Sequence, residues 1–227
     1  MQSHSAAISG IVDLQDEQSI ATSSYDKKIT VYNYRRNEIM FNLAANKTAV
    51  SCLTMDSVGK KLVSSGLDNH ISVWNIIRKN GKVNEIQLDK MIVNCGLVCS
   101  LREVTLEPSL VVVGNKEGKI FIVNLRTGEI ERKFVVGKSS VIEMVLVERK
   151  NKPETPIVIT SCHREKSLMV TKTDSGLSRS QNLKGRLNID YGCGIGPKIV
   201  MNGSGLMGVV SQSFSEKEVN LYEMIIN

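Results

Sequence analysis

The chain has 227 residues, 41% hydrophobic and 23% charged, a globular balance that excludes a disordered tail. No run approaches the ~20 apolar residues a membrane helix needs, and no basic-then-apolar leader pattern stands at the start. The formal net charge is +6, the pI near 9.0, and the four prolines and 17 glycines suit a turn-rich β protein.

In chain order, the residues read as repeated meanders of short alternating strands with Gly, Asp and Asn at the turns. The first unit, residues 4–43, ends on an outer strand Ile39 to Leu43 after the Arg35-Arg36-Asn37 turn. The second, 46–88, is the clearest. Val50, Cys52, Leu53 and Met55 open it, and a Gly59-Lys60-Lys61 turn leads to the small-residue strand Leu62 to Gly66. The tight turn Asp68-Asn69-His70 then gives Ile71, Val73 and Trp74, and an outer strand near Val83 to Leu88 follows Lys79-Asn80-Gly81-Lys82. The third unit, 93–136, keeps the order with strands Ser109 to Gly114, Ile120 to Leu125 and Glu129 to Phe134. The fourth, 139–183, carries an insertion, Glu148 to Pro156, before strands Ile157 to Ser161 and Leu168 to Thr173. The fifth, 187–227, has Leu206 to Ser211 and Val219 to Met224 but no outer strand. Tyr32, Trp74, Val123, Thr171 and Tyr222 hold one aligned place, at intervals of about 42 to 51 residues. No stretch has a convincing helical period.

Ser64, Asp68 and Trp74, at those offsets, resemble the WD-repeat family, whose unit is one four-stranded blade of a β-propeller. The same register set back into the first unit finds His4, Thr22, Asp26 and Tyr32 at the four corresponding places. The resemblance implies a structural hydrogen-bonded tetrad in each blade, tying strands together and satisfying buried polar groups. The second unit has Asn46 where the family has His. The expected fold is therefore all-β, a WD-repeat propeller of about five visible four-stranded blades. The strand count makes it an incomplete ring or part of a larger propeller, with an unpaired edge to be covered beside Val219 to Met224.

Motifs for chemistry are absent by comparison. Cys95 and Cys99 read as two same-face positions of one strand, with no second Cys or His pair at zinc spacing. Gly192 to Lys198 lacks the Gly-Lys-Ser/Thr ending of a phosphate loop, and Pro197 lacks an N–H donor. No nucleophile elbow or carboxylate pair stands out, and His70 and His163 read as turn residues. The sequence thus predicts no catalytic residue, no metal ligand and no cofactor. The odd, scattered Cys52, Cys95, Cys99, Cys162 and Cys193 point to a reducing compartment, and the expected location is nuclear or nucleolar, or cytoplasmic.

Charge is more informative. Lys27 and Lys28, Lys116 and Lys119, and Arg164 and Lys166 flank turns between second and third strands, which share one face of a propeller. Arg35, Arg36, Arg78, Lys79, Lys82 and Arg126 fall on turns of the opposite face. Such rims suit acidic partners or RNA, and aromatic content of only 4% argues against base stacking. The resemblance implies a non-catalytic scaffold binding several protein subunits. The His4 to Ile11 segment and the Ser64-Ser65-Gly66 strand look like the propellers of U3 ribonucleoprotein assembly factors, so a ribosome-assembly complex is the first expectation. A substrate-recognition or adaptor propeller of a ubiquitin ligase, trafficking or signalling complex is the alternative.

Overall fold

The structure, a computed structural model, describes residues 3–44, 47–147, 154–163, 168–174, 178–181, 198–201, 206–212 and 219–225. Among them there is no helix. Blade 1 is the meander β1 (Ile8–Asp13), β2 (Ser19–Ser24), β3 (Lys28–Asn33) and β4 (Glu38–Ala44). Blade 2 is β5 (Val50–Met55), β6 (Lys61–Gly66), β7 (Ile71–Lys79) and β8 (Lys82–Ile92). Blade 3 is β9 (Val98–Glu103), β10 (Leu110–Asn115), β11 (Lys119–Asn124) and β12 (Ile130–Val135). Blade 4 is β13 (Val141–Val147), β14 (Ile157–Cys162), β15 (Leu168–Lys172) and β16 (Ser178–Gln181). A fifth sheet has three strands, β17 (Lys198–Met201), β18 (Leu206–Gln212) and β19 (Val219–Ile225). Every pairing is antiparallel between consecutive strands.

Each blade packs face to face on the next, so a middle strand is buried on both sides. This is why β10, Leu-Val-Val-Val-Gly-Asn, is apolar almost throughout and buried at all six positions. Three apolar layers result. Leu62 and Trp74 of blade 2 meet Ala21, Ile29 and Val31 of blade 1. Val63 and Val73 turn the other way, onto Val111, Val113 and Phe121. Val112 and Ile122 then meet Met144 and Val158 of blade 4. The first strands β1, β5, β9, β13 and β17 are successive neighbours along the arc.

Each first strand of the four full blades carries a one-residue bulge, at Ser9, Ser51, Cys99 and Ile142. In blades 1 and 2 the bulge swings a hydroxyl toward the next blade. Ser9 Oγ donates to the Val50 carbonyl at 2.7 Å, and Ser51 Oγ to the Val98 carbonyl at 3.0 Å. Blades 3 and 4 are tied by Arg102, which donates to the Met144 carbonyl at 3.1 Å and to the Glu143 carboxylate.

Among the described residues the arc is not closed at blade 1. Two residues beyond each bulge, on the face turned to the preceding blade, stand Ile11, Leu53, Leu101 and Met144. Leu101 and Met144 are buried and Leu53 is half-buried, whereas Ile11 is 64% exposed. The position is built for a neighbouring sheet, and blade 1 has none there among the described residues.

Candidate functional site

The polar set expected in blade 1 is assembled by three elements: the segment before β1, the strand β2 and the β2–β3 turn. His4 Nδ1 donates to Asp26 Oδ2 at 2.9 Å, and its Nε2 shares a 2.8 Å bond with the Thr22 hydroxyl. The Thr22 hydroxyl also reaches the carbonyl of Thr30, its partner across the ladder, at 3.2 Å. The Asp26 carboxylate accepts from the Ser5 and Lys28 amides as well, at 3.0 Å each. Burial works to raise the Asp26 carboxyl; His4 and the two amides outweigh it and hold the group below its ordinary value. Tyr32 does not join the set. Its hydroxyl donates instead to Asn37 in the β3–β4 turn, because the ring of a tyrosine carries its polar atom out past the hydroxyl of Thr22.

In blade 2, Trp74 is 5% exposed and its indole N–H donates to Ser64 Oγ at 3.0 Å. Asp68 is not bonded to Ser64. Its carboxylate and the His70 ring are 3.7 Å apart, too long for a hydrogen bond. Asn46, the fourth place, lies outside the described residues. Blade 3 has Val113, Glu117 and Val123 where blade 2 has Ser64, Asp68 and Trp74, and Asn94 stands at the place of His4. The interior there, Val113 and Val123 with the neighbouring Cys95, is apolar. The turn is held by Asn115 instead: its Oδ1 accepts from the Glu117 and Lys119 amides at 3.0 and 2.9 Å, and its Nδ2 donates to the Cys95 carbonyl at 2.9 Å. Cys95 therefore precedes β9 rather than sharing a strand face with Cys99, because the Asn115 bond holds it in the incoming loop.

Nothing in this set is poised for covalent chemistry. Burial pushes the Cys52 and Cys95 thiols up to about 11, away from the thiolate form. A polar set of this kind that closes turns, between sheets stacked as blades, is a structural signature. Residues 37–75 match the WD domain, G-beta repeat, family. Residues 37–75 are thus one WD repeat, set in an arc of propeller blades. The matched segment spans β4, β5, β6 and β7, so the sequence repeat straddles two blades: the outer strand of blade 1 and three strands of blade 2. WD-repeat propellers are generally protein-interaction scaffolds.

On the rim of β2–β3 and β10–β11 turns, Lys27, Lys28 and Lys116 are exposed, and no ion pair is recorded for them among the described residues. Lys119 is different: its ammonium pairs with Glu117, which neutralises it. Arg164 and Lys166 lie outside the described residues, as do residues 192–197 of the glycine-rich segment. On this rim a cavity of about 410 Å³ opens between blades 2 and 3, lined by His70, Asn94, Glu117 and Lys133 among others. Its charges balance, with Asp68 and Glu117 against Lys119 and Lys133.

The opposite rim departs from expectation in one residue. Arg78 is not part of a solvent-facing patch. Its guanidinium donates to the Leu14 carbonyl of blade 1 at 2.6 Å and to the Gly59 carbonyl at 2.8 Å, fastening two blades together. Asp16 does similar work, accepting from the Gln18 and Ser19 amides, the Ser19 hydroxyl and the Val83 amide of blade 2. Among the described residues no cluster of three or more His, Cys, Asp or Glu could hold a metal ion.

Proposed function

We propose that this WD-repeat protein is a non-catalytic scaffold that holds several protein subunits in a nuclear ribonucleoprotein complex, one that assembles ribosomes. The observation that carries the reading is the combination of a stiff blade framework with free lysines at its turn tips. Both faces of the middle strands are buried, so the turns are held in fixed relation, as a surface that binds several partners requires. Lys27, Lys28 and Lys116 at one rim give an electropositive surface in a chain of net charge +6, which favours RNA-containing or acidic neighbours. The setting proposed is the nucleus or nucleolus.

Affinity purification of the tagged chain from its own cells, with and without ribonuclease, tests the reading. The expected result is a set of co-purifying proteins together with RNA that resists moderate salt. Reversing Lys27, Lys28 and Lys116 to Glu should leave the melting temperature unchanged, since exposed charges contribute little to stability. The same changes should weaken RNA recovery and flatten its salt dependence. Recovery of ubiquitin-ligase or trafficking subunits without RNA would replace this reading with the adaptor one.

A further inference from the structure

The hairpin β7–β8 is longer than its counterparts. Its strands have 9 and 11 residues, against 6 and 7 for β3–β4 and 6 and 6 for β11–β12. The extra length carries its tip beyond the rim. Asn80 and Gly81 make the turn with φ of 53° and 77°, the left-handed pair that a two-residue hairpin of type I′ requires. Immediately beside the turn, Lys79 and Lys82 are register partners, directly across the ladder from one another. Like charges so placed oppose pairing. Neither lysine has an ion pair recorded among the described residues, so nothing there relieves the repulsion.

The base of the same hairpin is fixed against blade 1. The Val83 amide donates to Asp16 at 3.1 Å, and Arg78 reaches the Leu14 carbonyl. Between the hairpin and blade 1 lies a cleft of about 350 Å³, which Arg36 enters from the facing β3–β4 turn. The Asn33 side chain accepts from the Arg35 and Arg36 amides at 3.1 and 2.9 Å, so this turn too is held in place. Glu38 is the one acidic residue lining the cleft, and it faces Arg36 at 3.5 Å with both side chains more than half exposed. A solvated pair of that kind leaves Arg36 available to a better partner. Three cations from two blades thus converge on one rigid cleft, with the amides of Asn80 and Asn84 beside them.

We propose that this cleft is a docking site for an acidic peptide segment of a partner protein. Its carboxylates sit between Lys79, Lys82 and Arg36, and an apolar side chain packs on Met40 and Val83. The lining contains no aromatic ring on which a base could stack, which favours a peptide over single-stranded nucleic acid. The half-buried Met40 and buried Val83 supply the apolar floor a peptide side chain needs. An incoming carboxylate also removes the Lys79–Lys82 repulsion, so binding and hairpin stability are coupled.

The proposal rests on the reading of the chain as an interaction scaffold, and its test is separable from that reading. Fluorescence anisotropy of the full chain is measured at low salt with a labelled Glu-rich peptide carrying a central leucine, and with an oligouridylate of equal charge. The peptide should bind, and the triple variant Arg36→Glu, Lys79→Glu, Lys82→Glu should weaken it by about tenfold or more. The neutral triple Arg36→Gln, Lys79→Gln, Lys82→Gln should fall between, with an unchanged melting curve. The opposite-rim variant Lys27→Glu, Lys28→Glu, Lys116→Glu should bind the peptide as wild type does. Equal loss in both rims, tighter binding of the oligouridylate through the same three residues, or no peptide binding overturns the proposal. Partners that still co-purify while the peptide fails to bind would leave the scaffold reading standing and remove only this cleft.

Discussion

Blades 1 and 3 solve the same problem with opposite materials. Both must fix the turn between second and third strands and the segment that leads into the first. Blade 1 uses a buried polar network, with His4 bridging Thr22 and Asp26. Blade 3 has Val113 and Val123 in the corresponding interior and hands the turn to a single Asn115. The two backbones nonetheless pair in the same meander. The lesson is that the polar set is not what makes the blade. Sheet stacking does that, and a polar network and a dry interior both hold the meander, but deleting one member of an assembled network leaves its partners unpaired and costs stability. Blade 2 stands between them, with Trp74 at once the largest apolar group of the set and a donor to Ser64.

The largest effect is therefore expected where both functions coincide. Trp74→Ala removes a nearly buried indole from the layer between blades 1 and 2 and leaves Ser64 without its donor. Chemical denaturation should show a loss of about 3–5 kcal/mol, as for other large-to-small core changes. A loss too small to resolve would mean that blades 1 and 2 do not share a core.

A middle-sized effect separates the wet blade from the dry one. Asp26→Asn leaves His4 facing an amide where it now faces a carboxylate, at a cost of about 1–3 kcal/mol near neutral pH. Asp26 is held below its ordinary value of 3.8 in the fold, so the native state binds fewer protons than the unfolded chain around that pH. Its contribution is complete above the ordinary value and is lost as pH falls toward the folded one. The difference between wild type and Asp26→Asn should shrink on acidification through that window. In blade 3, Glu117→Gln should leave the denaturation midpoint unchanged at neutral pH, because Glu117 is exposed and its place in the set is taken by Asn115. Equal sensitivity of the two positions would erase the distinction between the blades.

Much of this architecture was legible in the residues. The alternation of β5 and β7, the Asp68-Asn69-His70 turn and the recurrence of the pattern in the first unit were enough for blades, turns and the three-stranded fifth sheet. The joints were not legible. A bulge at Ser9 or Ser51 leaves no compositional mark, so the hydroxyls that tie one blade to the next read as ordinary strand serines. Arg78 sits in a run of turn residues with the look of solvated charge, yet its reach of 2.6 Å to the Leu14 carbonyl depends on a neighbouring blade that no local pattern records. Tyr32 matched its place by alignment, but where a hydroxyl finds its partner is decided by side-chain length. Lys119 stands two residues from Glu117 in the chain, but that the two side chains pair across the turn is decided by the fold.

A last comparison tests the open flank. Ile11, Leu53, Leu101 and Met144 hold the same place in four blades, and in the last two the side chain is covered by the preceding blade. Ile11 is 64% exposed because no sheet among the described residues stands in front of it. Transfer of its side chain out of water therefore contributes little to the arc as it stands, and Ile11→Lys should shift unfolding by no more than about 0.5 kcal/mol. Leu101→Ala, by contrast, opens a cavity between blades 2 and 3 and should cost about 2–5 kcal/mol. The comparison is made by urea denaturation of the chain alone, with both variants measured against the wild type. Ile11→Lys as damaging as Leu101→Ala would mean that a sheet already covers the first blade and that the ring is closed. If the two differ as expected, Ile11 marks the face on which any completing sheet must pack, and Ile11→Lys should then impair that association while leaving the arc itself folded.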